Sequence, residues 1–234
     1  MLNRDVTIKI NWILENILPP IMRDSKWLMY FVVWFAYGKK TKLIMDFKEK
    51  YPHMTNEEIN EYYSVILQTP INSGRATDLN NRCIHFICEN IVGKNVLDAA
   101  CGRGYMVQKL DDMGYQVKGI DLAPSRRQLE SGKYDRGDLR ELPYQDGEFD
   151  TVICAHVLEH LKDYSRAIYE IKRVASKRII IVMPCQREYK YTPDLHVNFC
   201  PYMYSFEAFL KNGGVSESTQ FFKLGGDFVA VIDK

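Results

Sequence analysis

Two rhythms of apolar residues divide the chain near residue 72. In residues 1–72 glycine occurs only at Gly38, and apolar positions recur three and four apart, the spacing of a helix face. Ile8, Ile10, Ile13, Leu14 and Ile17 fit one such face, which Pro19-Pro20 ends. An aromatic run follows from Trp27 to Tyr37, then a short amphipathic stretch at 42–50. Thr55 can cap a further helix, with Glu58 three residues on to complete a capping box, and that helix should run to Pro70. After a Ser73-Gly74 loop, one more helix is expected over about 78–90.

From Lys94 onward short apolar runs alternate with helix-compatible segments, the pattern of a parallel sheet covered on both faces. Strands are expected near 95–99, 116–121, 133–137, 149–154 and 178–183. The tail, 219–223 and 227–232 around Leu224-Gly225-Gly226, should form a closing hairpin. The expected architecture is an α/β doubly wound, seven-stranded, mostly parallel sheet with an N-terminal helical cap. Its domains are a cap over 1–72 and a core over 73–234. Residues 185–205, rich in Tyr, Pro and His, read as a long functional loop before a helix at 205–212.

The candidate chemistry centres on Asn95-Val96-Leu97-Asp98-Ala99-Ala100-Cys101-Gly102-Arg103-Gly104. An apolar strand ends in a carboxylate, two glycines bend the chain, and a helix can begin near Tyr105. Gly102 and Gly104 admit positive φ and bring the backbone against a ligand, while the helix start aims unpaired N–H groups at it. The dinucleotide fingerprint requires a third glycine, where Val107 stands. A cationic nucleoside without phosphate, such as S-adenosylmethionine, needs no such close approach, and Asp98 suits its charge.

Composition narrows the classes. Among 234 residues, 46% are hydrophobic and 26% charged with a net charge of +1, so nothing in the balance points to nucleic acid. The six cysteines contain no Cys-x-x-Cys pair and several sit in apolar strands, as buried thiols in a reducing cytoplasm would. No secretory leader is read at the start of the chain. The run from Trp27 to Tyr37 is far shorter than the ~20 residues of a spanning helix. It is expected to be buried, to form a homodimer, or to make a peripheral membrane contact, which its Trp and Tyr content suits.

Four motifs in order carry a resemblance: 96–104, then Gly119-Ile120-Asp121-Leu122, then Gly137-Asp138-Leu139, then Phe149 through His160. Together they are similar to class I S-adenosylmethionine-dependent methyltransferases, in the small-molecule branch that includes the ubiquinone- and menaquinone-pathway enzymes. The resemblance covers about 72–234. It implies that Asp121 takes the ribose diol, since a carboxylate accepts two hydroxyl hydrogen bonds. Leu122 would lie on the adenine and Asp138 would accept its amino group, with Leu139 behind. Asp98, Ala100, Gly102, Gly104 and Ala155 complete the expected cofactor contacts. Arg75 resembles an arginine that meets the methionine carboxylate in some relatives, though an ordinary surface arginine is nearly as good a reading.

His156 and His196 are the candidate catalytic residues, as a base for an oxygen or nitrogen nucleophile. His156 lies just past a strand end, with Glu159-His160 expected to begin a helix. His156 and His160 are one helical turn apart, but the Glu spacing of a zinc motif is absent and no metal is expected. His196, in Asp194-Leu195-His196, resembles a loop histidine over the substrate in related enzymes. Residues 18–25 and 58–63 look like methyltransferases of bacterial surface-polysaccharide clusters, so the expected acceptor is a sugar or phosphoryl-decorated glycan precursor. The rival readings are a catalytically silent binding module and a nicotinamide-dependent oxidoreductase.

Overall fold

The computed structural model describes residues 13, 17, 19–67, 76–188, 190, 191 and 195–234. The chain divides into two units, one of Met1–Arg75 with Gln186–Phe199, the other of Ala76–Cys185 with Cys200–Lys234. The boundary expected near residue 72 lies outside the described residues, as does the first expected helix apart from Ile13 and Ile17.

The first unit holds α1 (Pro20–Arg23), α2 (Lys26–Tyr37), α3 (Thr41–Lys50) and α4 (Asn56–Leu67). Gly38, with φ of 54°, ends α2, which no ordinary side chain could do as readily. The capping box expected before α4 is present: Glu58 Oε2 accepts the Thr55 N–H at 2.8 Å, and Thr55 Oγ1 accepts the Glu58 N–H at 3.3 Å. Met29 and Val33, one turn apart on α2, pack with Ile44, Met45 and Phe47 of α3. Buried Leu195 joins the same cluster with Tyr191 and Val197. That apolar contact groups 186–199 with the amino-terminal helices.

The second unit runs α5 (Asn81–Glu89), β1 (Asn95–Ala99), α6 (Tyr105–Asp112), β2 (Gln116–Asp121), α7 (Arg126–Glu130), β3 (Tyr134–Arg136) and β4 (Phe149–Ala155). It continues with α8 (Tyr164–Val174), β5 (Ala175–Pro184), α9 (Met203–Asn212), β6 (Thr219–Leu224) and β7 (Asp227–Asp233). The sheet order is β3-β2-β1-β4-β5-β7-β6. The pairs from β3 to β5 are parallel, and β7 pairs antiparallel with both β5 and β6.

Period-two alternation explains why the strands are apolar on both faces. Leu97, Val152, Cys154, Ile179 and Ile181 face α8 and α9, whereas Val96, Ile153, Ile180 and Val182 face α5 and α6. One correction concerns 158–160. Leu158–His160 is an isolated 3-10 turn, and α8 starts only at Tyr164, where Asp163 accepts the Arg166 N–H. Asp163 is a better cap than anything in Leu158-Glu159-His160.

Candidate active site

Chain order reverses between β1 and β4, because β2 and β3 lie on one side of β1 and β4 lies on the other. In open parallel sheets that reversal leaves a crevice at the carboxyl ends of the strands. Register brings Asp98 level with Gly119 and Ile153, so Asp98, the tip of β2 at Asp121 and the tip of β4 at Ala155 share that edge. Two non-glycine residues just past these strands take left-handed backbone, Ala100 at φ 65° and His156 at φ 55°. Such conformations cost about 1–3 kcal/mol and tend to cluster at functional sites.

The turn after β1 is tied to β2 and to the helix after it. Cys101 N–H donates to Ile120 O at 3.0 Å, and Gly102 N–H donates to Asp121 Oδ2 at 2.8 Å. Asp121 Oδ1 accepts the Ala123 N–H, and Gln128 Nε2 donates to Gly102 O. Gln128 is itself held in a capping box with Ser125. A Cβ added to Gly102 would meet nothing within 4 Å, so this glycine serves its φ of 52° and keeps the space above it open. Gly104, at φ 77°, precedes Tyr105 at the start of α6, and a Cβ there would strike the Tyr134 hydroxyl.

The crevice is electronegative. Burial, and then the charge of Asp121, push the Asp98 carboxyl up to about 7. No cation among the described residues offsets that shift. Asp121 itself stays half-buried, and Leu122 beside it exposes 41% of its surface. Gly137 N–H donates to Asp121 O at 3.0 Å, which sets Asp138 next to that tip with Leu139 buried behind it. Asp138 is held by Arg140, whose backbone N–H and Nε reach Oδ1 at 2.9 and 2.8 Å while a terminal nitrogen reaches Oδ2. Burial raises the Asp138 pKa, but these Arg140 contacts outweigh it and the net shift is downward.

Past β4, His156 N–H continues the ladder to Val182 O at 3.0 Å. Its ring lies between two fully buried carboxylates, with Nδ1 3.3 Å from Glu159 Oε1 and Nε2 3.5 Å from Asp227 Oδ2. Burial alone would push the imidazole down; Asp227 and Glu159 outweigh it and carry the pKa up to about 10. Asp227 Oδ2 also accepts Asn80 Nδ2 at 2.7 Å, and the same Nδ2 lies 2.8 Å from Leu224 O.

Of the residues expected from the sequence, Asp98, Ala100, Gly102, Gly104, Asp121, Leu122, Asp138, Leu139, Ala155 and His156 all belong to the sheet unit. His196 belongs to the other unit, buried with its Nδ1 against Gln186 Oε1. Arg75 lies outside the described residues. Sequence reasoning passed over Arg140, Asn80 and Asp227. Only Asp227 left a trace, as an acid opening a strand whose interior is apolar, where burial demands a partner.

Residues 97–183 match a family described as a methyltransferase domain. Ajmaline N-methyltransferase of Rauvolfia serpentina is 33% identical over an alignment covering 38% of this chain and 35% of that protein. A ubiquinone biosynthesis O-methyltransferase of Hahella chejuensis is 34% identical, covering 42% and 46%. The chain thus spans less than half the length of these curated relatives. The PH0226 protein of Pyrococcus horikoshii shares the fold, with a TM-score of 0.54 at 18% identity over 74% of this chain and 98% of that one. A SAM-dependent methyltransferase from Archaeoglobus fulgidus gives the same TM-score and identity over 74% and 100%. Sheet order, acid-tipped strands, glycine turn and family match agree: residues 97–183 carry a methyltransferase domain on the fold shared with solved S-adenosylmethionine-dependent methyltransferases.

Proposed function

We propose that the chain transfers a methyl group from S-adenosylmethionine to the oxygen or nitrogen of a small-molecule acceptor. The observation that carries this reading is the Asp98 carboxyl, buried at the switch point beside Asp121 with no described cation to balance it. A cationic ligand would supply the missing charge, and the sulfonium and ammonium of the cofactor are cationic. In this reading Asp98, Ala100, Gly102, Gly104 and Ala155 border the methionine end. Asp121 accepts the ribose hydroxyls through lone pairs that Gly102 and Ala123 leave over. Leu122, Asp138 and Leu139 border the adenine, and Arg75 meets the carboxylate. When bound, the cofactor supplies an activated methyl on a good leaving group, so the protein has mainly to position and desolvate the acceptor.

Within that scheme the two histidines take different parts. His156, held charged by Glu159 and Asp227, is a poor proton acceptor near neutral pH, and we assign it to positioning the strand exit. His196 is the candidate base. For the acceptor we retain a sugar or decorated glycan precursor of surface-polysaccharide synthesis. The amino-terminal resemblance and the Tyr and His content of 185–205 support it. A cytoplasmic setting accords with six free thiols. The aromatic face of α2 we take as a contact surface.

Calorimetric titration with S-adenosylhomocysteine and with NADH tests the cofactor, and mass detection over a panel of acceptors tests the reaction. Micromolar affinity for the first and none for the second is expected. NADH binding without S-adenosylhomocysteine binding would overturn the proposal. Tight cofactor binding with no turnover across the panel would favour the silent binding module.

A further inference from the structure

The largest unexplained feature lies on α2. Its 12 residues are Lys-Trp-Leu-Met-Tyr-Phe-Val-Val-Trp-Phe-Ala-Tyr. At about 100° per residue, Met29 and Val33 share one side of the helix and are buried in the unit's core. Trp27, Tyr30, Phe31, Val32, Trp34 and Phe35 fan over an arc of about 200° on the other side, and all are exposed. Trp27 shows 72% of its surface and Phe35 90%. Ile21 of α1, six residues before Trp27, is exposed as well. An apolar face of that width is far beyond the scattered exposed side chains of a water-facing helix, and marks an interaction surface.

Three observations decide what covers it. At about 1.5 Å per residue the helix is about 18 Å long, too short for the ~30 Å hydrocarbon core, and no described helix is long and apolar enough to cross a membrane. A helix packed against its mate in a second copy buries a stripe of roughly 100°, about half of what is exposed here. Between Ile17 and Met45 the basic residues are Arg23, Lys26, Lys39, Lys40 and Lys42 and the only acid is Asp24, a net charge of +4 in a chain whose total is +1. Lys26, Lys39 and Lys42 are exposed at the two ends of the aromatic face. A wide apolar arc that includes Trp and Tyr, with flanking lysines, has the attributes of a segment seated in the headgroup region of an anionic bilayer.

We propose that α2 docks the protein on an anionic lipid surface, with Trp27, Phe31, Trp34 and Phe35 in the interface and Lys26, Lys39 and Lys42 against the headgroups. The proposal stands apart from the methyl-transfer reading and concerns where the enzyme works, not what it does.

All three tryptophans of the chain, Trp12, Trp27 and Trp34, fall in the first 34 residues, so tryptophan emission reports on this region. The full chain is mixed with vesicles of phosphatidylcholine alone or of phosphatidylcholine with phosphatidylglycerol, and followed by flotation and emission. Co-flotation with the anionic vesicles and a blue shift are expected, both weakening as salt rises. Lys39→Gln with Lys42→Gln should lower the anionic partition roughly thirty-fold, about fivefold per lysine. Trp27→Ser with Phe31→Ser and Phe35→Ser, all at exposed positions, should abolish it while circular dichroism and cofactor binding stay unchanged. The proposal fails if neither vesicle binds, or if the lysine changes leave binding to anionic vesicles intact. It also fails if light scattering shows a dimer that the triple serine variant dissociates, in which case the face is an interface between copies.

Discussion

Asp121 Oδ2 accepts the backbone N–H of Gly102 at 2.8 Å, so the acid at the tip of β2 fixes the shape of the turn that follows β1. One side chain thereby serves the cofactor crevice twice, as a wall and as a proposed contact.

Asp121→Ala should lower affinity for S-adenosylhomocysteine by roughly ten- to a hundredfold, the worth of about one charge-assisted hydrogen bond. Asp121→Asn should lose less, because an amide oxygen can still accept from Gly102. Calorimetry on both variants checks this; equal losses would show that the turn does not depend on Asp121.

Two glycines separate the needs of ligand and fold. Gly102→Ala meets no protein atom and should cost about 1–2 kcal/mol of stability from its positive φ, while sharply weakening cofactor binding. A Cβ on Gly119 would come within 2.7 Å of Val107 Cγ2 and 2.8 Å of Cys101 Sγ. Gly119→Ala should therefore lower stability by about 1–3 kcal/mol through overpacking between β2 and α6. Denaturant midpoints and binding isotherms of the pair distinguish the two effects.

If Asp98 borders the cofactor as proposed, it ties cofactor binding to a proton. Its pKa stands at about 7 against an ordinary 3.8, so the folded chain without ligand holds the proton more tightly than the unfolded chain does. The contribution to stability is complete below about 4 and is lost as pH rises through about 7. A bound cation should draw the pKa back down, so binding near pH 6.5 should release a proton. Titrations in two buffers of different ionisation enthalpy measure that release, and Asp98→Asn should remove it.

His156 carries the opposite consequence, at higher pH. With its pKa raised from 6.5 to about 10, its contribution is full below about 6.5 and is lost as pH rises through about 10. His156→Gln removes the imidazolium held between Glu159 and Asp227 and should cost about 3–5 kcal/mol at pH 7. The imidazole resonances of the intact protein should show a charged ring at pH 8. A neutral ring there would overturn the assignment.

His196→Ala should reduce turnover about a hundredfold or more with little change in cofactor affinity, the loss expected for a general base. Turnover equal to that of the parent chain would remove His196 from the reaction.

The amino-acid sequence by itself determined the strands, the glycine turn, the capping box of α4 and the methyltransferase motifs of the sheet unit. Each is written in neighbours: period-two apolar runs, a Thr and a Glu three residues apart, two glycines after an acid. The apolar face of α2 was equally legible as a run, but not that, among its described side chains, only Met29 and Val33 would be buried. Only the tertiary structure decided the state of His156, because Asp227 lies 71 residues further along the chain and reaches it only through the pairing of β7 with β5. The same holds for Asn80, which meets Asp227 across 147 residues, and for the grouping of 186–199 with helices nearly as far away. Local periodicity fixes which residues face a core, whereas the charge of a buried group depends on partners brought in by strand order, which no local pattern records.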